Sequence, residues 1–189
     1  MFNDVAVAAR LMQAEWHRRQ RQTLRVLVID LDVHQGNGTA AIFKDDPSVF
    51  TLSLHGEKNF PFRKVAGDLD VALPDGCRDE AYLDALDTAL AQAWRRIQAG
   101  GGPWLAFYLA GADPHEHDRL GRLKLSAAGL AERDRRVLAA LAEHGLPVAL
   151  AMAGGYGKRI EETVGIQLST VGLALQSWEA RREREKDCG

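Results

Sequence analysis

Cysteine is scarce in this 189-residue sequence, which holds only Cys77 and, next to the carboxyl terminus, Cys188. Two thiols make no disulfide framework and fit a reducing compartment, with both buried or idle. Net charge is lacking too: 24 basic and 26 acidic residues leave −2, so the overall field gives no reason to expect nucleic acid or an anionic membrane as a partner. No apolar run approaches the roughly 18 residues of a membrane helix, and no basic, apolar, small-residue leader opens the sequence. A soluble, cytoplasmic protein is the expectation. Internal repeats are absent, and the one biased tract, Glu179 to Asp187, reads as a solvated helix end.

What is present supports a folded core. Apolar residues make up 46% and charged residues 26% of the chain, which excludes disorder as the default and suits one domain over residues 1–189. From Asp4, Val5, Ala8, Ala9, Leu11, Met12 and Trp16 recur at helical spacing, and the polar run His17 to Thr23 ends them. Arg25 to Asp30 is an apolar, β-branched run without alternation, as in a strand covered on both faces. A short helix over Ala40 to Phe43 and a strand over Ser48 to Leu54 follow, and His55 to Gly76 reads as loop. Glu80 to Ile97 has helical periodicity through Leu83, Leu86, Leu90 and Trp94, stopped by Ala99-Gly100-Gly101-Gly102-Pro103. Trp104 to Ala110 is a third strand, Gly111 to Leu125 a loop, Ser126 to Glu143 a capped helix, Pro147 to Ala151 a fourth strand, and Glu161 to Arg182 a closing helix. Strands separated by such helices predict an α/β fold of three layers, a parallel sheet with helices on both faces. Its site would lie in loops beyond the carboxyl ends of the strands.

Three of those four strands run into polar clusters: Asp30-Leu31-Asp32-Val33-His34, Gly111-Ala112-Asp113 and Gly154-Gly155-Tyr156-Gly157. Asp32 and His34 are two apart, so on an extended backbone their side chains face the same way, and an acid from a neighbouring strand end would complete a triangle. Two carboxylates and one imidazole suit zinc with a fourth position open for water. Taken singly, Asp32 and Asp113 read as turn caps and His34 as a packed histidine; together at strand ends they read as a metal site. Asp30 orients a histidine, binds a cation or caps the following loop. The glycines around Tyr156 allow a tight turn that brings a phenol close to a ligand, although an ordinary strand-to-helix turn would look the same. A phenol donor beside a Lewis-acidic metal stabilises the oxyanion formed when water attacks an amide.

In order and spacing, Asp30-Leu31-Asp32-Val33-His34-Gln35-Gly36-Asn37-Gly38-Thr39, Ser53-Leu54-His55, Gly111-Ala112-Asp113-Pro114, Asp118-Arg119-Leu120-Gly121-Arg122-Leu123 and Ala153-Gly154-Gly155-Tyr156 are similar to the histone deacetylase family. The match spans almost the whole chain. Gln35 after His34, with Gly121-Arg122-Leu123, resembles the bacterial and class IV branch. The resemblance implies an arginase-like α/β fold, zinc on Asp32, His34 and Asp113, and Tyr156 polarising the carbonyl of an acetylated protein or small acetylated amine. It also implies a structural potassium ion near Asp30, Asp32, His34, Ser53 and Leu54, and a second around Phe43, Asp46 and Val49. A cation beside zinc-ligating carboxylates tunes their charge.

One departure stands out. Family members carry a tandem histidine pair upstream of a segment resembling Phe2-Asn3-Asp4-Val5-Ala6, one histidine acting as general base, and this sequence has no such pair. The expectation is therefore an amino-terminally truncated domain, with Met1 an internal start or a fragment boundary, which folds poorly and turns over slowly by itself. His55, His115 and His117 lie near motif loops and read as loop or packing residues. Two other functions compete with hydrolysis of an acetylated amine. One is a family member that binds metal or a partner without turnover. The other is a magnesium-dependent phosphatase with Asp30 as nucleophile and Ser53 as phosphate contact, which leaves His34 and the Gly-Gly-Tyr-Gly turn unexplained.

Overall fold

The fold grows from one strand buried on both faces. In the computed structural model, which describes residues 2–102 and 104–187, β1 (Arg25–Asp30) lies at the centre of a five-stranded, all-parallel sheet of order β3-β2-β1-β4-β5. Met1, Pro103 and Cys188 lie outside the described residues; Cys77 is a buried free thiol. Alternation along β1 divides its side chains between two cores: Leu27 and Ile29 enter the larger one, Val26 and Val28 the smaller. Residues Val5, Ala6 and Ala9 of α1 (Asp4–Gln20) and Phe43 of α2 (Asn37–Phe43) complete the smaller core. On the opposite face, α3 (Asp79–Gly100) and α4 (Ala127–Glu143) cover the sheet with Tyr82, Leu86, Leu130 and Val137, joined by Ile166 of α5 (Ile160–Asp187). The three-layer arrangement is the one the sequence predicts. Among the described residues no helix is long and apolar enough to cross a membrane.

Local chemistry sets where helices begin and end. The Asn3 side chain accepts a hydrogen bond from the Ala6 N–H at 2.9 Å, and that of Ser126 accepts one from the Gly129 N–H at 2.9 Å, so each satisfies an otherwise unpaired donor of a first turn. Ser126 in turn donates to Asp79 at 2.6 Å, which ties the start of α4 to the first residue of α3.

The sheet differs from expectation at one edge. β3 (Leu69–Leu73) lies within the segment read as loop, and pairs with the far half of β2 (Val49–Gly56). Its side chains alternate between partly buried and exposed until Leu73. A five-residue edge strand containing Asp70 carries little of the continuous apolar signature that marks β1. At the other edge, β5 (Val148–Met152) pairs among the described residues with β4 (Trp104–Ala110) alone, and Met152 is 66% exposed. α5 also exposes Ile160, Val164, Leu168, Leu175 and Trp178.

Strand order locates the site. From β1 the chain moves through α2 to β2 and then β3; α3 returns it across the sheet to β4, on the other side of β1. The direction of winding therefore reverses between β1 and β4, and the crevice at their carboxyl ends is where such sheets bind ligands. A buried polar network holds that crevice from below. Arg133 of α4 is fully buried and donates to the carbonyls of Gly111 at 2.7 Å and Leu31 at 3.3 Å, the residues that leave β4 and β1. Asp134 neutralises it at 2.8 Å and accepts from Tyr108 of β4 and Thr170 of α5, each at 2.5 Å.

Arg133→Ala should lower folding stability by about 3–5 kcal/mol, because it leaves the Asp134 carboxylate buried without its countercharge. Urea denaturation measures this, and a loss within ~0.5 kcal/mol, the scale of an ordinary surface substitution, would show that the pair does not hold the crevice together.

Candidate metal centre

β1 ends at Asp30, and the next residues bend across the end of the sheet. The Asp30 side chain accepts the Asp32 N–H at 3.1 Å, and Asp32 accepts the His34 N–H at 2.9 Å, so each acid shapes the turn that presents the next ligand. From the end of β4, Asp113 reaches over and accepts the Val33 N–H on Oδ1 at 2.8 Å. From the end of β5, the Gly154 N–H donates to Asp32 Oδ2 at 2.8 Å. Three strand ends thus close on one point.

At that point the sequence-predicted triad is assembled. Single ligand atoms of Asp32, His34 and Asp113 all lie within 4.8 Å of one another. His34 Nδ1 is 2.9 Å from Asp32 Oδ1 and 3.2 Å from Asp113 Oδ2. Asp113 Oδ2 is buried and accepts no well-directed hydrogen bond, an expensive state for a carboxylate oxygen unless a cation satisfies it. Gly154 explains the close approach, since a β-carbon there would run into the carboxylates of both Asp113 and Asp32.

Electrostatics point the same way. The close approach of the Asp113 carboxylate and the hydrogen bond to Asp32 push the His34 imidazole up to about 10, so without a metal it carries a proton near neutral pH. Burial pushes Asp113 up to about 6 against the opposing pull of His34. For Asp32, burial is outweighed by hydrogen bonds from His34 and from backbone N–H groups, and the carboxyl stays below its ordinary value. Burial, reinforced by the charge of Asp32, raises Asp30 to about 8. Two carboxylates and one imidazole form a donor set that fits zinc, with three protein ligands and room for a fourth.

The other predicted residues fall into place unevenly. Asp30 and Ser53 are direct register partners on β1 and β2, both buried, with Leu54 beside them, and the Ser53 hydroxyl pairs with His55 Nδ1 at 3.0 Å. Phe43, Asp46 and Val49 form a turn closed by its own backbone bonds, Asp46 N–H to Phe43 at 3.0 Å and Val49 N–H to Asp46 at 3.2 Å. Arg10 already pairs with the Asp46 carboxylate at 2.6 Å. Tyr156 is 55% exposed, whereas its backbone is fixed: its N–H donates to Asp118 at 2.6 Å and its carbonyl accepts from Arg119 Nε at 3.0 Å. His55 is almost fully buried beneath the crevice.

Sequence reading assigned no role to Asp118 or Arg133, which position these loops. Arg133 left a trace, because it sits on the apolar stripe of α4 between Leu130 and Val137, where a charge needs a partner. Asp118 stood in the Asp118–Leu123 motif, but its role did not show, since its bond to Tyr156 joins residues 38 apart.

Comparison with known proteins adds lineage to geometry. Residues 1–169 match the family model described as histone deacetylase domain. An uncharacterized protein of Picosynechococcus sp. is 44% identical over 164 residues, covering 87% of this chain and 52% of that protein. Histone deacetylase 2 of Arabidopsis thaliana is 38% identical over 137 residues, 71% of this chain and 34% of that one. Among solved structures, an acetylpolyamine aminohydrolase from Burkholderia pseudomallei superposes with a TM-score of 0.72 at 23% identity, covering 91% of this chain and 49% of that one. At that identity it speaks for the fold alone. An HDAC homologue complexed with SAHA gives 0.64 at 28% identity, over 85% of this chain and 44% of that one. The chain thus spans about half the length of the relatives it matches, or less.

The metal-free chain should lose stability as pH rises. A His34 imidazole held at about 10, against an ordinary 6.5, contributes stability that is fully present below 6.5 and disappears as pH approaches 10. The raised Asp30 and Asp113 act with the same sign at lower pH. Denaturation midpoints should therefore fall between about pH 6.5 and pH 9, and saturating zinc, which displaces the proton from His34, should flatten the curve. Identical slopes with and without zinc would separate His34 from the metal.

Proposed function

Because the chain belongs to the histone deacetylase family, we propose that it is the metal-binding part of a zinc-dependent deacetylase domain that hydrolyses an acetylated amine, acetyl-lysine foremost. The observation that carries the reading is the Asp32–His34–Asp113 cluster at the switch point of the sheet, with a buried Asp113 oxygen that, among the described residues, accepts no well-directed hydrogen bond. An acetylated protein or a small acetylated amine is the substrate class, in keeping with the names of the Arabidopsis and Burkholderia proteins.

Each residue then has a role. Asp32, His34 and Asp113 would hold zinc, which supplies Lewis-acid polarisation of the amide carbonyl and of the attacking water. Gly154 lets both carboxylates close in, and its N–H keeps Asp32 oriented. The Tyr156 phenol, on a loop anchored through Asp118, donates its proton in a hydrogen bond to the oxygen that gains charge as the carbonyl is attacked. Asp30, Ser53 and Leu54, with backbone around Asp32 and His34, would take a structural potassium ion behind the zinc; a second at Phe43, Asp46 and Val49 would compete with Arg10. A phosphatase reading fits less well, because it gives no role to the Asp32–His34–Asp113 grouping and places its nucleophile on a buried side chain.

A second reading has one observation in its favour. The sequence contains no adjacent histidines, and no residue described above is assigned to take the proton from the attacking water. A chain that binds zinc without appreciable turnover would satisfy the same geometry, since general-base catalysis typically contributes about 10² to 10⁴ in rate.

Zinc analysis and an acetyl-lysine peptide assay together test the proposal. Asp32→Ala, His34→Ala and Asp113→Ala should each weaken zinc binding, and unchanged zinc content in all three would sink the assignment. Tyr156→Phe should lower turnover by roughly a hundredfold while zinc content holds. Both assays apply to this chain and to one joined to the amino-terminal part of a longer relative. Turnover confined to the joined form would support the second reading for the chain alone, and equal turnover in both would exclude it.

A further inference from the structure

Beside the crevice lies a second group of metal-ligand side chains that the deacetylase reading does not use. His115 and His117 belong to the loop after β4, and Glu162 to the first turn of α5. One ligand atom from each lies within 4.8 Å of the others. His117 Nδ1 is 2.9 Å from Glu162 Oε2, and the two imidazole rings meet edge to face with centroids 5.2 Å apart. All three line a cleft of about 480 Å³ together with Ala127, Ile166 and Ser169. His115 is nearly buried, whereas His117 and Glu162 are partly open to solvent.

The backbone holds these residues in place before any ion arrives. The His115 carbonyl accepts the Asp118 N–H at 3.0 Å, and the His117 carbonyl accepts the Lys158 N–H at 3.0 Å. Asp118 and Gly157 form an antiparallel bridge, and the Arg119 N–H donates to the Tyr156 carbonyl at 3.2 Å. The loop carrying both histidines is therefore laced to the segment that leads into α5. Two imidazoles and one carboxylate form a set that binds zinc with a position left open. A tetrahedral site with bonds of about 2.0–2.2 Å places its ligand atoms roughly 3.4 Å apart, so small side-chain rotations bring these three into range.

We infer that His115, His117 and Glu162 form a second site for a transition-metal dication, zinc foremost, which fastens the Asp113 loop to the start of α5. The site shares no ligand with Asp32, His34 and Asp113, and neither assignment requires the other. An ion there links the loop that follows Asp113 to the helix that follows Tyr156. Its occupancy bears on how firmly those two residues are held relative to each other.

Zinc titration of tag-free chain, read by calorimetry and by metal analysis after gel filtration, tests the inference. The wild-type chain should take up two equivalents, and His34→Ala should keep the one at the second site. His117→Ala and Glu162→Gln should each keep the first equivalent and weaken the second at least tenfold; the double variant His34→Ala/His117→Ala should retain none. Both substituted side chains are solvent-accessible, so the metal-free variants should match the wild-type urea midpoint, which separates loss of a ligand from loss of fold. A wild-type chain that binds a single equivalent, lost in His34→Ala and kept in His117→Ala, would overturn the inference. So would a second equivalent that survives His117→Ala and Glu162→Gln at unchanged affinity. Failure at His34 alone would count against the deacetylase centre and leave the second site standing.

Discussion

A fully buried arginine is the contact on which the crevice rests. Arg133 reaches from α4 to the carbonyls of Leu31 and Gly111, joining the ends of β1 and β4 where the sheet offers them no further ladder partner. Such a cation in the interior requires a counterion, and Asp134 supplies it while accepting from Tyr108 and Thr170. Desolvating this pair costs several kcal/mol per ion, which well-packed apolar side chains in its place would avoid. The return is positional: one guanidinium fixes the two backbones from which Asp32 and Asp113 are presented.

Given that scaffold, the metal centre is a balance of charge. The carboxylates of Asp32 and Asp113 both lie against His34 Nδ1, and the raised imidazole offsets their charge in the absence of a metal. A dication would take over that role and also satisfy the remaining oxygen of Asp113. Gly154 matters for a different reason, as its lack of a side chain lets the third strand end approach both acids. Its N–H then helps to keep Asp32 charged despite burial.

How much of this was legible in the sequence depends on the range of the interaction. β1, β4, α3 and α4 were readable because their apolar residues repeat at the period of the element and their termini carry local signals such as Ser126. The Asp32–His34–Asp113 grouping was readable because polar clusters directly follow apolar strands, and parallel strands deliver their carboxyl ends to one edge. β3 was not, since an edge strand with one half-exposed face has little apolar signal to show. Arg133 hid its partners, which lie 22 and 102 residues away. The pairing of His117 with Glu162 was equally invisible, because nothing in a His-x-His spacing indicates which helix terminus will be folded against it.

The register between β1 and β4 carries a consequence for the metal centre. Asp30 stands opposite Leu109, and Asp32 and Asp113 follow from those two points. Sliding β4 by one residue would carry Asp113 about 3.3 Å along the strand axis and turn its side chain to the opposite face. The spacing of the candidate metal ligands is therefore measured out by the hydrogen-bond ladder of the sheet, so a polypeptide found to bind zinc at this point would, in the same act, certify the alignment of its two central strands.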